Sequence, residues 1–249
     1  MPEPHVSILD DLEALSRSAA EQFVSLAKAA LATRGRFDVA LSGGATPQAL
    51  YRLLAQPPYL ARLPWPQIHF FWGDERCVPP DHPDSNYYQA RLALLDHIAV
   101  PPANVHRIWG ELEPTAAAQD YARQLRSASA EDGLDWPRFD LILLGLGADG
   151  HTASLFPGPI TPAEAHSPVI AVSAHYAGRP AQRVSLTPLV FNTAVNVIFL
   201  VTGAAKSEAL AATLTGPRDP ERWPAQRIQP ARGSVAWLVD QAAATRMRG

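Results

Sequence analysis

The sequence predicts an α/β fold, one domain over residues 1–249 built on a doubly wound, mostly parallel sheet with helices on both faces. Three observations carry this. Short, mostly apolar runs such as Phe37–Leu41, Ile68–Trp72, 139–144 and 195–201 read as strands buried on both faces rather than half-exposed alternating ones. Segments with apolar residues at helical spacing separate them, the order expected of βαβ units. No internal repeat, linker or low-complexity stretch interrupts the chain.

Taken in order, His5–Leu9 is a short strand. Asp10 or Asp11 offers a cap for a long helix with Leu12, Leu15, Ala19, Phe23, Leu26 and Ala30 at helical spacing, and Gly35 ends it. Phe37–Leu41 then runs into SGGATP (42–47). There Thr46 suits the N-cap and Pro47 the first turn of a helix over 48–55, halted before Pro57 and Pro58. Ile68–Trp72 is followed by 73–76 and a proline-rich loop, a helix over 85–97, a brief strand at 105–108 and a helix from Pro114 to Ala128. Beyond 139–144 and its glycine-rich loop, the chain is expected to be irregular from Gly158 through Ser167. Strands at 169–172 and 183–186, a short helix over 188–194, the strand 195–201 and a helix to about Leu214 follow. The stretch 216–233, rich in proline and arginine, reads as a loop before a last strand at 235–239.

Apolar residues make up 47% of the 249, enough for a sizeable core and too many for a disordered chain. A net charge of −3 and a pI near 6.2 give no global drive toward nucleic acid or membrane, so an anionic ligand needs a local basic cluster. The single cysteine, Cys77, excludes an internal disulfide and a multi-cysteine metal site, and fits a reducing cytoplasm. No run reaches the roughly 18 apolar residues of a membrane span, and the N-terminus lacks the pattern of a signal peptide. A cytoplasmic protein is expected.

The stretch richest in chemistry follows 139–144. Gly145, Gly147 and Gly150 form a strand exit that delivers His151. Ligands of open α/β sheets gather at the carboxyl ends of strands, and an imidazole placed there moves protons near neutral pH. His151 is therefore the candidate general base, and the glycines read as a tight turn that lets backbone N–H groups face a ligand. Asp149 either orients His151, polarises a substrate group or caps the turn backbone. GLGADG also matches a dinucleotide fingerprint, but Pro157 arrives too soon for the required helix and no acidic residue ends a second strand. His5, His69, His97, His106, His166 and His175 lack any comparable context.

Ser42, Gly43, Gly44 and Thr46 form a plausible phosphate cradle. Small residues permit close approach, and a helix N-terminus follows. It is not a Walker loop, and no G-x-S-x-G surrounds Ser42 to make it a nucleophile. The loop 73–86 collects Asp74, Glu75, Asp81, His82 and Asp84; such exposed side chains are usually solvated, and no metal is assigned to them. Arg76 is a fixed cation at a strand exit, suited to phosphate or carboxylate. Arg179, Arg183 and Lys206 stand beside other strand ends, and together these cations suggest an anion pocket.

In order and spacing, SGGATP, GDERCVPPDHPDSNY, LGLGADGHTASLFPG, RVSLT and VTGAAK resemble the glucosamine-6-phosphate isomerase/6-phosphogluconolactonase family, on its lactonase side. The match runs from about His5 to Asp240, and DGHTASLFPG is its most specific part. The resemblance implies a glucosamine-6-phosphate deaminase-like fold, no cofactor and no metal. It also implies hydrolysis of a phosphosugar lactone, 6-phospho-D-glucono-1,5-lactone, in the oxidative pentose phosphate pathway. It makes His151 the catalytic base, Ser42, Gly43, Gly44 and Thr46 the sugar-phosphate loop, and Arg76, Arg183 and Lys206 the basic ligands. Two departures are mild: Arg179-Pro180 where the family often has lysine or proline, and Ala45 for a common serine. The expected partner is a small-molecule substrate, with no nucleic acid, no membrane and a monomeric state. One rival is an amino-sugar-phosphate deaminase/isomerase, whose family pattern puts a carboxylate shortly after the histidine; Ala153-Ser154-Leu155-Phe156 supplies none. The other is a sugar-phosphate sensor, for whose DNA-binding segment the acidic N-terminal helix is expected to leave no room.

Overall fold

The computed structural model describes residues 5–130, 133–175 and 178–247. Its strands are β1 (His5–Leu9), β2 (Phe37–Leu41), β3 (Ile68–Trp72), β4 (Asp74–Arg76), β5 (Leu141–Leu144), β6 (Val169–Ser173), β7 (Gln182–Leu186), β8 (Asn196–Val201) and β9 (Ser234–Asp240). Its helices are α1 (Leu12–Arg34), α2 (Ala45–Leu54), α3 (Asn86–Ala93), α4 (Pro114–Ala128), α5 (Pro162–His166), α6 (Pro188–Phe191) and α7 (Ser207–Leu214).

Six strands form an all-parallel sheet in the order β1-β9-β8-β5-β2-β3. Every residue of β2 and β5 is buried, as their unbroken apolar character requires of central strands. The long helix α1 is bounded as its sequence predicts. The Asp11 carboxylate accepts the Ala14 N–H at 2.8 Å, and Gly35 closes the helix at φ +71°, donating its N–H to Leu31. Its inward face brings Phe23 edge-on to Phe37 of β2, 5.3 Å between ring centres. Strand order reverses between β2 and β5: from β2 the chain steps outward to β3, from β5 outward to β8 and β9. Such a reversal opens a crevice at the carboxyl ends of the strands. The exits of β2, β5 and β8 therefore lie side by side.

The structure departs from the sequence expectation in several places. A second, antiparallel sheet, β4-β7-β6, stands apart from the first. Its strand β4 is three polar residues in what reads as a loop, and its partner β7 lies more than 100 residues on, so no local pattern reveals it. Helix α2 begins at Ala45 and is capped by Gly44 at φ +108°. Thr46 is not the cap; its hydroxyl turns instead to Thr202, 2.7 Å away. Thr161 and Pro162 open a short helix, α5, inside the stretch expected to be irregular, with the Thr161 hydroxyl accepting the Glu164 N–H at 3.1 Å. Val105 makes a single bridge to Phe70 rather than a strand. The helix expected over 85–97 ends at Ala93, and the one over 188–194 at Phe191.

Candidate active site

At the reversal point lies a cleft of about 470 Å³, lined by Ser42, Gly43, Gly44 and Thr46 from the β2 exit and by His151 from the β5 exit. Lys206, beyond β8, lines it too, and so do Arg76 and Arg183 from the small sheet and Arg179. The sequence candidates thus converge on one place, with Asp149 behind His151 rather than on the cleft wall.

The β2 exit is built for close approach. A Cβ at Gly43 would overlap the Asn86 carboxamide, and at Gly44 the φ of +108° excludes ordinary side chains. Ser42 is held by its backbone: its N–H donates to the Tyr51 hydroxyl at 3.0 Å, which donates back to the Ser42 carbonyl at 2.8 Å. Its own hydroxyl is buried with no hydrogen-bond partner among the described residues. The N-terminus of α2, ten residues long, adds partial positive charge beside it.

The β5 exit folds on itself. Gly147 donates its N–H to the His151 carbonyl at 2.7 Å, Gly150 donates to Gly147 at 3.0 Å, and the Thr152 hydroxyl donates to the Gly145 carbonyl at 2.8 Å. The Gly147 and Gly150 N–H groups are therefore spent within the turn and are not among those the loop can offer a ligand. A Cβ at Gly147 would overlap the His151 ring. His151 Nδ1 lies 2.6 Å from Asp149 Oδ1, which also accepts the His151 backbone N–H at 3.2 Å. A carboxylate at Nδ1 selects the tautomer protonated there and leaves Nε2 as the basic nitrogen. Phe156 packs against the imidazole, 4.9 Å between ring centres.

Arg76, Arg179, Arg183 and Lys206 line the same cleft as this imidazole. Arg76 and Arg183 are direct partners across the β4–β7 ladder, and only 9% and 6% of their surfaces are exposed. Like charges opposite each other on a ladder are unfavourable unless an anion lies between them. Arg76 donates to the Asp84 carbonyl at 2.5 Å and forms no ion pair with a carboxylate among the described residues. The Arg183 guanidinium lies over the Phe156 ring, 5.6 Å from its centre. Burial lowers the pKa of Lys206, while the nearby Asp149 carboxylate opposes that shift. Arg179 sits on the rim, its side chain half exposed and 3.9 Å from Asp84. That same Asp84 is 3.9 Å from His82, and among the described residues no three His, Cys, Asp or Glu side chains converge as a metal site requires.

A model of the family described as glucosamine-6-phosphate isomerases/6-phosphogluconolactonase matches residues 10–237. The chain belongs to this family. Among its members, the 6-phosphogluconolactonase of Synechocystis sp. is 42% identical over 246 residues, covering 98% of this chain and 99% of that protein. The solved structure of 6-phosphogluconolactonase from Trypanosoma brucei is 32% identical with a TM-score of 0.85, covering 98% and 99% of the two chains. A monomeric glucosamine-6-phosphate deaminase, 22% identical with a TM-score of 0.82 over 97% and 99% of the chains, has the same fold.

Four residues of this cleft escape the sequence reading or are given another place in it. Asp74, 6% exposed, accepts the Ser154 hydroxyl at 2.6 Å and the Asn86 amide at 3.1 Å. Its position at a β3 exit was the available signal, masked by the neighbouring acids. Asn86, Thr202 and Phe156 carry no charge; each lies inside a quoted motif but none was singled out there, and the fold places them on the cleft. Glu75, beside Asp74, faces away and caps α3: it accepts N–H groups of Arg76, Asn86 and Tyr87 at 2.6–2.8 Å and the Ser85 hydroxyl at 3.0 Å. Burial pushes its carboxyl up to about 7, against those four hydrogen bonds, which favour the charged form.

Proposed function

We propose that this family member is a 6-phosphogluconolactonase, hydrolysing 6-phospho-D-glucono-1,5-lactone to 6-phospho-D-gluconate in the oxidative pentose phosphate pathway. The observation that carries this is the in-register pair Arg76 and Arg183 on the cleft that also holds His151. Two buried guanidinium groups side by side call for a multiply charged anion, and an imidazole backed by a carboxylate calls for a proton to be moved.

In this reading the substrate phosphate docks on Ser42, Gly43, Gly44 and Thr46, with Arg76, Arg183, Lys206 and rim-placed Arg179 as counter-charges. That grip sets the C1 carbonyl beside His151. Neutral His151 takes a proton through Nε2 as water adds to C1, while Asp149 holds the ring and steadies the imidazolium. The C1–O5 bond then breaks, O5 takes the proton back as a hydroxyl, and the new carboxylic acid releases its proton to solvent. General base catalysis supplies about 10²- to 10⁴-fold and positioning the remainder. One lactonase domain acts here as a cytoplasmic monomer, with neither metal nor organic cofactor taking part in the steps.

A coupled assay on freshly prepared lactone tests the reading, with the product consumed by a 6-phosphogluconate dehydrogenase. Hydrolysis above the spontaneous rate is expected, together with a kcat/KM at least about 10²-fold lower for glucono-1,5-lactone without phosphate, since the charge-assisted bonds are then lost. Equal turnover of the two lactones, or ammonia release from glucosamine 6-phosphate, overturns it.

A further inference from the structure

The stretch 216–233 reads as a surface loop, yet part of it grips the His151 loop at both ends. Ala225 donates its N–H to the Gly150 carbonyl at 3.0 Å, and the Trp223 indole fills the space a Cβ on Gly150 would need. At the other end, Gly158 donates to the Glu221 carbonyl at 2.8 Å. Arg227, on the turn Pro224–Arg227, completes the hold. Its Nη2 donates to the carbonyls of Gly158 at 2.8 Å and Phe156 at 3.4 Å, and its Nε to the Pro220 carbonyl at 2.8 Å. Its Nη1 lies 2.9 Å from both carboxylate oxygens of Glu164, on α5. Both side chains are more than nine-tenths buried.

A buried ion pair of this kind is costly to desolvate, and two apolar side chains of similar volume would pack as well. What apolar side chains lack is a donor fork for two carbonyls of an irregular turn. The residue so held, Phe156, touches both the His151 imidazole and the Arg183 guanidinium. We infer that Arg227, held in place by Glu164, is a positioning residue for the lactonase reaction: it fixes Phe156, and through that ring it sets His151 on Asp149 and Arg183 over the cleft. The inference rests on the lactonase reading above.

Steady-state kinetics, thermal unfolding and NMR titration of the His151 ring are compared in wild type, Arg227→Met, Arg227→Met/Glu164→Met and Phe156→Leu. The double variant is expected to regain the unfolding temperature that Arg227→Met loses, because no charge is then left buried alone. Its kcat should nevertheless stay about 10- to 100-fold below wild type, the cost of a misplaced base. Phe156→Leu should show the same kcat deficit with a near-wild-type unfolding temperature, and the His151 ring signals should move in both. A double variant that recovers stability and kcat together, or a Phe156→Leu enzyme with wild-type kcat and unmoved His151 signals, overturns the proposal. Should wild type itself lack lactonase activity, the earlier reading fails, and unmoved ring signals in the variants then overturn this one separately.

Discussion

The two ends of β2 and β5 treat charge in opposite ways. At their amino ends it is closed on itself. Arg36 donates to Asp38 at 2.6 and 3.0 Å, and Arg34 reaches Asp140 at 2.5 Å and Asp38 at 3.4 Å, so two cations meet two anions. The imidazoles there are stacked: His69, in register with Asp38, lies on His106, and His106 on Phe71 at 4.2 Å, and burial lowers the pKa of His69. Burial, then His69 and Arg36, drive the pKa of His106 down to about 4. The carboxyl ends are arranged differently. Arg76, Arg183 and Lys206 line one cleft, while Asp74 is bound to Ser154 and Asn86, and Asp149 to His151. One set of strands thus carries an end closed by its own ion pairs and an end that opens into a cleft lined mainly by cations.

The largest expected effect lies at the cleft end. Replacing both Arg76 and Arg183 by Met is expected to raise KM for the phosphorylated lactone by about 10²- to 10⁴-fold, two charge-assisted contacts at about 1.5–3 kcal/mol each. Urea unfolding of the same variant checks that the rise in KM belongs to a folded enzyme. Asp38→Asn tests the opposite end. It should cost about 3 kcal/mol of stability, as partial loss of a buried pair with partly exposed arginines does, and leave the KM of the folded enzyme unchanged. Asp149→Asn should lower kcat on the order of 10²-fold with little change in unfolding midpoint, since an amide no longer holds the ring as the carboxylate does.

The smallest effect separates the two histidine environments by pH. Because the folded-state pKa of His106 lies near 4 and its ordinary value is 6.5, the unfolded chain takes up a proton first as pH falls. The associated stability is fully present above about 6.5 and is lost as pH drops from there toward 4. After discounting for partial exposure the loss is about 2 kcal/mol. His106→Phe should flatten that part of the stability curve while leaving kcat as it was.

Much of this was legible in local pattern. The runs at Phe37–Leu41 and Ile68–Trp72 and the helix Pro114–Ala128 match the expected bounds, because apolar continuity, a cap and a proline at N1 are all local signals. The glycine exits also point to the site, since Gly43 and Gly147 are glycines where any Cβ would collide. What stayed hidden is long-range. The register that sets Arg76 against Arg183 joins a three-residue polar strand to a distant partner. The grip of Ala225 and Arg227 on the His151 loop comes from a stretch whose prolines and arginines look like exposed loop. The Thr46 hydroxyl went to Thr202 because Gly44 already met the backbone demand of the cap.

In the proposed reaction the His151 imidazole activates water beside the cleft that holds the substrate phosphate. The most direct measurement is lactone hydrolysis by wild type and His151→Ala across pH 5–9, corrected for spontaneous opening. A kcat about 10²- to 10⁴-fold lower is expected in the variant, with KM within a few-fold and the protein folded. A His151→Ala enzyme that turns over the phosphorylated lactone at the wild-type rate would contradict it.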